Sequence, residues 1–291
     1  MIKKYKLIKR IQNISIVILV MLSIFLFKSL INSNINSVNP DEMKVHFIDV
    51  GQGDSILIQV NYKNILIDSG PKDGKDKLLE YLNSLNINQF DYVISTHPHE
   101  DHIGNMDYII NNYKVLNFYS PKIDNNTPSF ENMVEALSRK NLKIKILKAN
   151  SSTINLGKNT LFEVFSPNLD HYDNLNNYSP IIKISYGNTS FLFTGDAEED
   201  VEQEVLNNNF NLKSDVLKVG HHGSSTSTTK SFFDSVSPKI SVISVGKNNS
   251  YGHPTENTLN NLKESKIYRT DLNGNIVLTS NGSTIEISLK W

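Results

Sequence analysis

Ser95-Thr96-His97-Pro98-His99-Glu100-Asp101-His102-Ile103-Gly104 packs three imidazoles and two carboxylates into six consecutive positions. The apolar stretch that leads into it, Asp91 to Thr96, reads as a short buried strand. Imidazole and carboxylate are ligands for zinc, manganese or iron. A loop leaving a strand turns alternate side chains toward one point. His97 and His99 therefore share one face, while Asp101 and His102 reach a neighbouring point. The density of ligand types predicts two adjacent metal positions rather than a solvated loop.

Outward from this stretch the chain alternates between sheet and helix. Lys44 to Val50 is β-rich. Ser55 to Val60 and Asn64 to Asp68 form a hairpin-like pair. Gly70 to Gly74 is a turn cluster, and Lys77 to Leu85 has helical spacing. A helix is expected over Ile103 to Tyr113, then strand, helix and strand over Val115–Tyr119, Glu131–Lys140 and Lys143–Leu147. The second half repeats the style, with strands at Leu161–Ser166, Ile181–Tyr186, Ser190–Thr194, Val216–Val219 and Ile240–Val245. Helices are expected at Glu198–Asn207, opened by acids that suit its N-terminus, and at Thr255–Lys263, with Thr255 as cap. The end is a hairpin, Ile276–Ser280 and Thr284–Leu289 around Asn281-Gly282. Two mixed halves predict a layered α/β domain.

The chain has 291 residues, a hydrophobic fraction of 38%, a formal charge of -1 and no cysteine. The apolar fraction is too low for a multi-spanning membrane protein. The charge gives no global basic field for nucleic acid, so any such contact is local, with Lys218, Lys247 or the Lys143, Lys145, Lys148 strand as candidates. Disulfides, thiolate metal sites and cysteine nucleophiles are excluded. At the start, Lys3, Lys4, Lys6, Lys9 and Arg10 precede an uncharged apolar run, Ile14 to Phe27, closed by Lys28. The run fits a signal-peptide core or a short signal anchor. No A-x-A-like cleavage site follows, which favours an anchor over 1–28, a Ser/Asn-rich linker over 29–43 and a catalytic domain over 44–291. Positive charge inside puts that domain on the outer face of the membrane. Cleavage would make it a secreted protein.

The pattern His-x-His-x-Asp-His resembles the signature of the metallo-β-lactamase superfamily. Phe47-Ile-Asp-Val-Gly-Gln-Gly-Asp-Ser55, Phe191-Leu-Phe-Thr-Gly-Asp196, Val219-Gly-His-His-Gly-Ser224, Tyr251-Gly-His-Pro254 and Arg269-Thr-Asp-Leu-Asn-Gly274 narrow the likeness to the hydrolase domain of ComEC-type competence proteins. It covers Met43 to the C-terminus. The membrane-channel part of those proteins has no counterpart, so the chain reads as the hydrolase domain on an anchor.

The resemblance implies a four-layer αββα sandwich holding two divalent ions, Zn²⁺ or Mn²⁺. By position, His97 and His99 would hold one ion, Asp101 and His102 would contribute to the other, and Asp196 would bridge them. One histidine of the His221-His222 pair, with His222 favoured, would complete the second site, with Asp101 or Asp196 steering the attacking water. His221, Ser224 and His253 would contact substrate, while Asp54, Asp68, Asn177 and Ser179 would support the ligands. The wider superfamily supplies another histidine between the first motif and the bridging aspartate. Asn176-Asn-Tyr-Ser-Pro180 stands there instead, and His171 reads as an exposed loop residue. Fewer nitrogen ligands make manganese a competitor to zinc. Phosphodiester hydrolysis, with DNA as a candidate substrate and no protein partner, is the expected activity. Hydrolysis of a small ester, lactone or β-lactam, and a surface binding module with a degenerate metal site, are the alternatives.

Overall fold

Strand alternation sets how this chain layers. The computed structural model describes residues 15, 16, 18–23, 41–151 and 154–290. The chain divides into two compact units, Met1–Val38 and Asn39–Trp291. In the first, residues 15–16 and 18–23 are helical and exposed. The rest of the expected anchor, and the expected linker up to Pro40, lie outside the described residues. Among the described residues no helix is long and apolar enough to cross a membrane.

The second unit carries β1 (Met43–Phe47), β2 (Ile56–Val60), β3 (Lys63–Ile67), β4 (Gln89–Phe90), β5 (Tyr92–Ile94), β6 (Lys114–Val115), β7 (Phe118–Ser120) and β8 (Ile144–Ile146). It continues with β9 (Thr160–Val164), β10 (Ile182–Tyr186), β11 (Thr189–Phe193), β12 (Val216–Lys218), β13 (Ile240–Ile243), β14 (Lys266–Arg269), β15 (Asn275–Ser280) and β16 (Ile285–Lys290). An eight-stranded sheet runs in the order β16-β15-β1-β2-β3-β5-β7-β8, and a six-stranded sheet in the order β14-β13-β12-β11-β10-β9. Successive side chains point to opposite faces of a strand. Met43, Val45 and Phe47 of β1 and Ile56, Ile58 and Val60 of β2 meet Ile182 and Ile184 of β10 and Phe191 and Phe193 of β11 between the sheets. The opposite-face residues Leu57, Leu66 and Val93 pack on Leu78, Leu82, Ile109, Met133 and Leu137, from the helices Lys75–Ser84, Met106–Asn112 and Pro128–Arg139. Leu192 and Leu217 of the other sheet pack on Val201, Val205, Phe232, Phe233 and Leu262, beneath the helices Glu199–Asn207 and Lys230–Val236. Three apolar interfaces separate four layers, giving an αββα sandwich. Each fully buried Leu, Ile or Phe contributes about 1.5–3 kcal/mol, so the interfaces far outweigh any single polar contact.

Direction matters as much as layering. β1 is antiparallel to β2 and β2 to β3, while β3, β5 and β7 run parallel. β11, β12 and β13 are also parallel. Within each sheet these strands therefore end on one edge, where their loops gather.

Two expected elements are interrupted. The helix expected over Ile103–Tyr113 breaks into Glu100–Ile103 and Met106–Asn112. At the break, the Asn105 side-chain amide donates to the carbonyls of Ser69 and Pro71, at 3.1 and 2.6 Å. A Cβ on Gly104 would lie 2.6 Å from the Lys72 nitrogen. The break lets the turn after β3 sit against the motif. Val115–Tyr119 likewise divides between β6 and β7. The helix Lys230–Val236 and strand β14 have no expected counterpart. Thr229 caps that helix by accepting from the Phe232 N–H.

One buried acid ties the second helical layer together. Glu202 accepts hydrogen bonds from the backbone N–H groups of Thr228 and Thr229 and from the Thr229 hydroxyl. Glu202→Ala leaves those donors unpaired, and a loss of about 2–4 kcal/mol is expected in a denaturant melt. Burial pushes the Glu202 carboxyl up from 4.5 to about 7, against the pull of the Thr229 and Thr228 donors. A raised folded-state pKa contributes stability that is complete below pH 4.5 and lost as pH rises through about 7. Stability should fall across that window, and Glu202→Gln should flatten the fall.

Candidate metal centre and active site

The site is assembled from strand ends. β5 runs into His97, His99, Asp101 and His102; β11 into Asp196; β12 into His221 and His222; β3 into Asp68; and the loop after β1 brings Asp54. Gly53 allows that loop to close, because a Cβ there would stand 2.2 Å from the Asp101 carbonyl. Across the resulting contact the Asp54 N–H donates to the Asp101 carbonyl at 3.1 Å.

Two groups of donor atoms converge. His102 Nε2 lies 3.2 Å from Asp196 Oδ2 and 3.9 Å from Asp101 Oδ2. His222 Nε2 lies 3.2 Å from Asp101 Oδ2 and 3.4 Å from Asp196 Oδ2. These four residues offer ligand atoms that all lie within 4.8 Å of one another. Beside them, His97 Nε2 and His99 Nδ1 are 2.9 Å apart, and His97 Nε2 is 3.9 Å from Asp196 Oδ2. Asp196 thus stands between both groups. It is not a helix cap, since the following helix begins at Glu199 with Glu198 at the cap position.

Four of these residues, His102, His222, Asp196 and His97, are held from behind. His102 Nδ1 sits 2.8 Å from Asp68 Oδ2, and Asp68 itself accepts from the Thr96 N–H and hydroxyl. His222 Nδ1 donates to the Ser244 carbonyl at 2.9 Å. Ser179 Oγ accepts the Asp196 N–H at 3.1 Å and lies 3.3 Å from His97 Nδ1. Such partners fix the ring orientation and tautomer of a ligand. His221 and His222 both take left-handed backbone conformations, φ 45° and 53°. Such conformations are uncommon outside Gly, with Asn, Asp and His the usual exceptions, and here both rings approach Asp196 Oδ2, at 3.8 and 3.4 Å, edge-on to each other.

The charges fit a cation site. Asp54, Asp68 and Asp196 are buried, and Asp101 is 30% exposed at its side chain. The buried Lys218 ammonium contacts Asp54 Oδ2 at 2.5 Å. Burial would raise Asp54, but Lys218 and the His222 and His102 rings outweigh it and bring the carboxyl to about 2. Burial would also discharge His102 and His222. The carboxylate of Asp196, joined by Asp101 and others, instead raises both well above the ordinary range. His97, chiefly through burial, is pushed well below it and is a neutral donor. His102 Nε2, His222 Nε2 and Asp196 Oδ1 are buried without a hydrogen-bond partner. Orphaned buried donors and acceptors are rare. Here they belong to imidazoles and a carboxylate crowded round shared points, the set that divalent metals take.

A cleft of about 360 Å³ opens over the centre, lined by Gln52, His99, Glu100, Asp101, Asp196, His221, His222, Tyr251 and His253. His221 Nδ1 is 3.2 Å from Glu198 Oε1. Glu198 also accepts from Asn174 and Asn176, and its N–H donates to Asn177 Oδ1. Glu198 is thus a brace for His221 rather than simply an opening helix acid, a role invisible without the fold. Ser224 does not line the cleft. It is buried, with its hydroxyl paired to that of Thr226. Lys218, a candidate for contacting substrate phosphates, is 1% exposed beneath the donors and donates to the Gly195 carbonyl. Its place at the end of an otherwise apolar strand is the one local signal that it is buried. His171 is exposed and paired with Asp173.

The comparisons with known proteins agree with this geometry. Residues 48–247 match the model of the metallo-β-lactamase superfamily. The chain is 34% identical over 255 residues to ComE operon protein 3 of Bacillus subtilis, covering 81% of this chain and 33% of that protein. It is 30% identical over 267 residues to recombination protein 2 of Haemophilus influenzae, covering 89% and 31%. Competence protein ComA of Neisseria gonorrhoeae is 27% identical over 258 residues, covering 87% and 34%. The chain therefore spans about a third of the length of these relatives. Among solved structures, the metallo-β-lactamase fold protein YhfI of Bacillus subtilis superposes with a TM-score of 0.56 at 14% identity, over 82% of this chain and all of that one. The diiron β-hydroxylase CmlA of Streptomyces venezuelae superposes with a TM-score of 0.54 at 13% identity, over 83% and 54%. By its motif, its layers and these matches, the chain belongs to the metallo-β-lactamase superfamily.

Proposed function

We propose that this protein is a metal-dependent phosphodiesterase acting on nucleic acid, held outside the cell by its N-terminal segment. The observation that carries the reading is the cleft itself. Two groups of donors meet at its floor, and two half-buried imidazoles, His221 and His253, stand at its side. That surround suits a substrate bearing an anionic, tetrahedral centre. The names of the competence relatives support a nucleic-acid substrate, and the basic-then-apolar start of the chain supports export.

His97, His99 and Asp196 would hold one ion, and Asp101, His102, Asp196 and His222 the other, with zinc and manganese as the candidates. Bound there, divalent ions supply a nucleophile from water near neutral pH and polarise the electrophile. The chain contributes the rest. Asp101 reaches the cleft and orients the attacking water. His221, braced through Nδ1 by Glu198, presents its other nitrogen to a phosphoryl oxygen. Asp68, Thr96 and Ser179 keep the imidazoles in register.

The test is turnover by the purified full chain, stripped of metal and then reloaded with Mn²⁺ or Zn²⁺. Cleavage of a single-stranded oligonucleotide should return with metal, and Asp101→Ala should lower kcat by about 100-fold or more. Turnover of a lactone or nitrocefin without any phosphodiester cleavage would overturn the proposal in favour of a small-molecule hydrolase. Bound metal without turnover of any of these would point to a binding role.

Ligation can be read without turnover. Metal at about 100-fold over its Kd should raise the Tm of the stripped protein by about 5–10 °C. The rise should be small in Asp196→Ala, which loses the carboxylate between both donor groups. An unchanged rise in that variant would remove Asp196 from the ligand set.

A further inference from the structure

Tyr251 is large, aromatic and 68% exposed, yet it lines the cleft over the donor set. Its ring stacks on His253, with centroids 5.8 Å apart and planes 25° from parallel. His253 in turn stands edge-on to His221, at 5.6 Å and 74°. Three rings therefore lead from the rim of the centre to solvent, and the last presents an open face.

The loop that carries these rings is fixed by one side chain. Asn249 Oδ1 accepts the N–H groups of Tyr251 and His253, at 3.2 and 3.0 Å. Asn249 Nδ2 donates to the carbonyls of His253 and Gly246, at 2.7 and 3.0 Å. Gly252, at φ +72°, has open space where a Cβ would be, so the loop bows outward. With the loop backbone fixed this way, a ligand that covers the ring has little chain to order. Nothing packs Tyr251 into an apolar layer, so core packing does not account for it.

We infer that Tyr251, backed by His253, is a stacking platform for the base of an unpaired nucleotide next to the scissile phosphate. The inference rests on the phosphodiesterase reading and narrows its substrate to single-stranded nucleic acid. A π-face accepts any base, so the platform gives preference for strand state and none for sequence. In a duplex the base is already stacked and its faces are covered. Tyr251 is a specificity residue on this account. It touches the substrate away from the reacting atoms, and its loss weakens binding while leaving the chemical step intact.

The experiment uses the full chain, Tyr251→Ala and Tyr251→Phe. The ligands are a single-stranded oligothymidylate, a strand of the same length with every position abasic, and a duplex. Turnover is measured with Mn²⁺, and binding by fluorescence anisotropy without added metal. Tyr251→Ala should raise KM and the anisotropy Kd for the intact strand by about tenfold, with kcat held. Tyr251→Phe, which keeps the π-face, should match the wild type. The abasic strand should bind the wild type and Tyr251→Ala alike. Equal affinity of wild type and Tyr251→Ala for the intact strand, or an equal loss on the abasic one, would overturn the platform. So would a duplex that binds wild type as well as the single strand. No cleavage by any variant, with the anisotropy difference intact, would sink the phosphodiesterase reading and leave the platform standing.

Discussion

The accumulation of negative charge at one edge of the sandwich is the constraint on which the site depends. Asp54, Asp68 and Asp196 are buried there, Asp101 is close by, and Lys218 lies within reach of Asp54 and Asp196. An isolated buried carboxylate is costly, and so is an isolated buried ammonium. The five groups are tolerable only together, and only with further positive charge. In the described atoms that charge falls on His102 and His222, which the carboxylates hold well above the usual imidazole range. A divalent cation meets the same demand without a proton, and metal ligation displaces protons from such rings. Lys218 differs from the imidazoles in standing outside the donor set: its ammonium sits on Asp54 and the Gly195 carbonyl, below the donors and away from the cleft.

This concentration of charge is possible because the backbone alone brings it together. Parallel strands deliver Asp68 and the histidine motif from one sheet, and Asp196 and the His221-His222 pair from the other. Local backbone strain then sets the angles. Asp68, His221 and His222 all have positive φ, and such residues persist where surrounding contacts over-determine them. The Ser244 carbonyl holds His222, and Glu198 with Asn176 holds His221. The free energy of the apolar layers is what keeps these turns from relaxing.

Much of this is legible in the chain, because periodicity and ligand density are local signals. The strands expected at Ser55–Val60 and Ser190–Thr194 fall within one residue of Ile56–Val60 and Thr189–Phe193, while the one expected over Lys44–Val50 ends three residues sooner, at Phe47. The run from His97 to His102 marks a metal loop by its ligand types alone. What stays hidden depends on contacts distant in sequence. Nothing near Lys218 shows that Asp54, 164 positions earlier, will neutralise it, so its charge reads as available to substrate. Ser224 sits beside a ligand in sequence, but its hydroxyl pairs with Thr226 instead of facing the cleft. The break at Gly104-Asn105 is masked by apolar spacing that runs through it. Its cause is the turn at Ser69–Pro71, to which Asn105 donates.

All the donor residues lie in the unit Asn39–Trp291. Within one fold shared by a diiron hydroxylase and many other proteins, the donor set cannot by itself define the substrate. What varies is the rim. Here the rim is made by the loops after β12 and β13 and by the Gln52 loop, whose side chain accepts the Gly246 N–H and so ties it to the loop bearing Tyr251 and His253. A contact at the rim is made equally in the bound state and the transition state, and therefore sets which molecule is held rather than how fast it reacts. The donor set and the rim are thus separable parts of one cleft, the first governed by buried charge and the second by exposed rings.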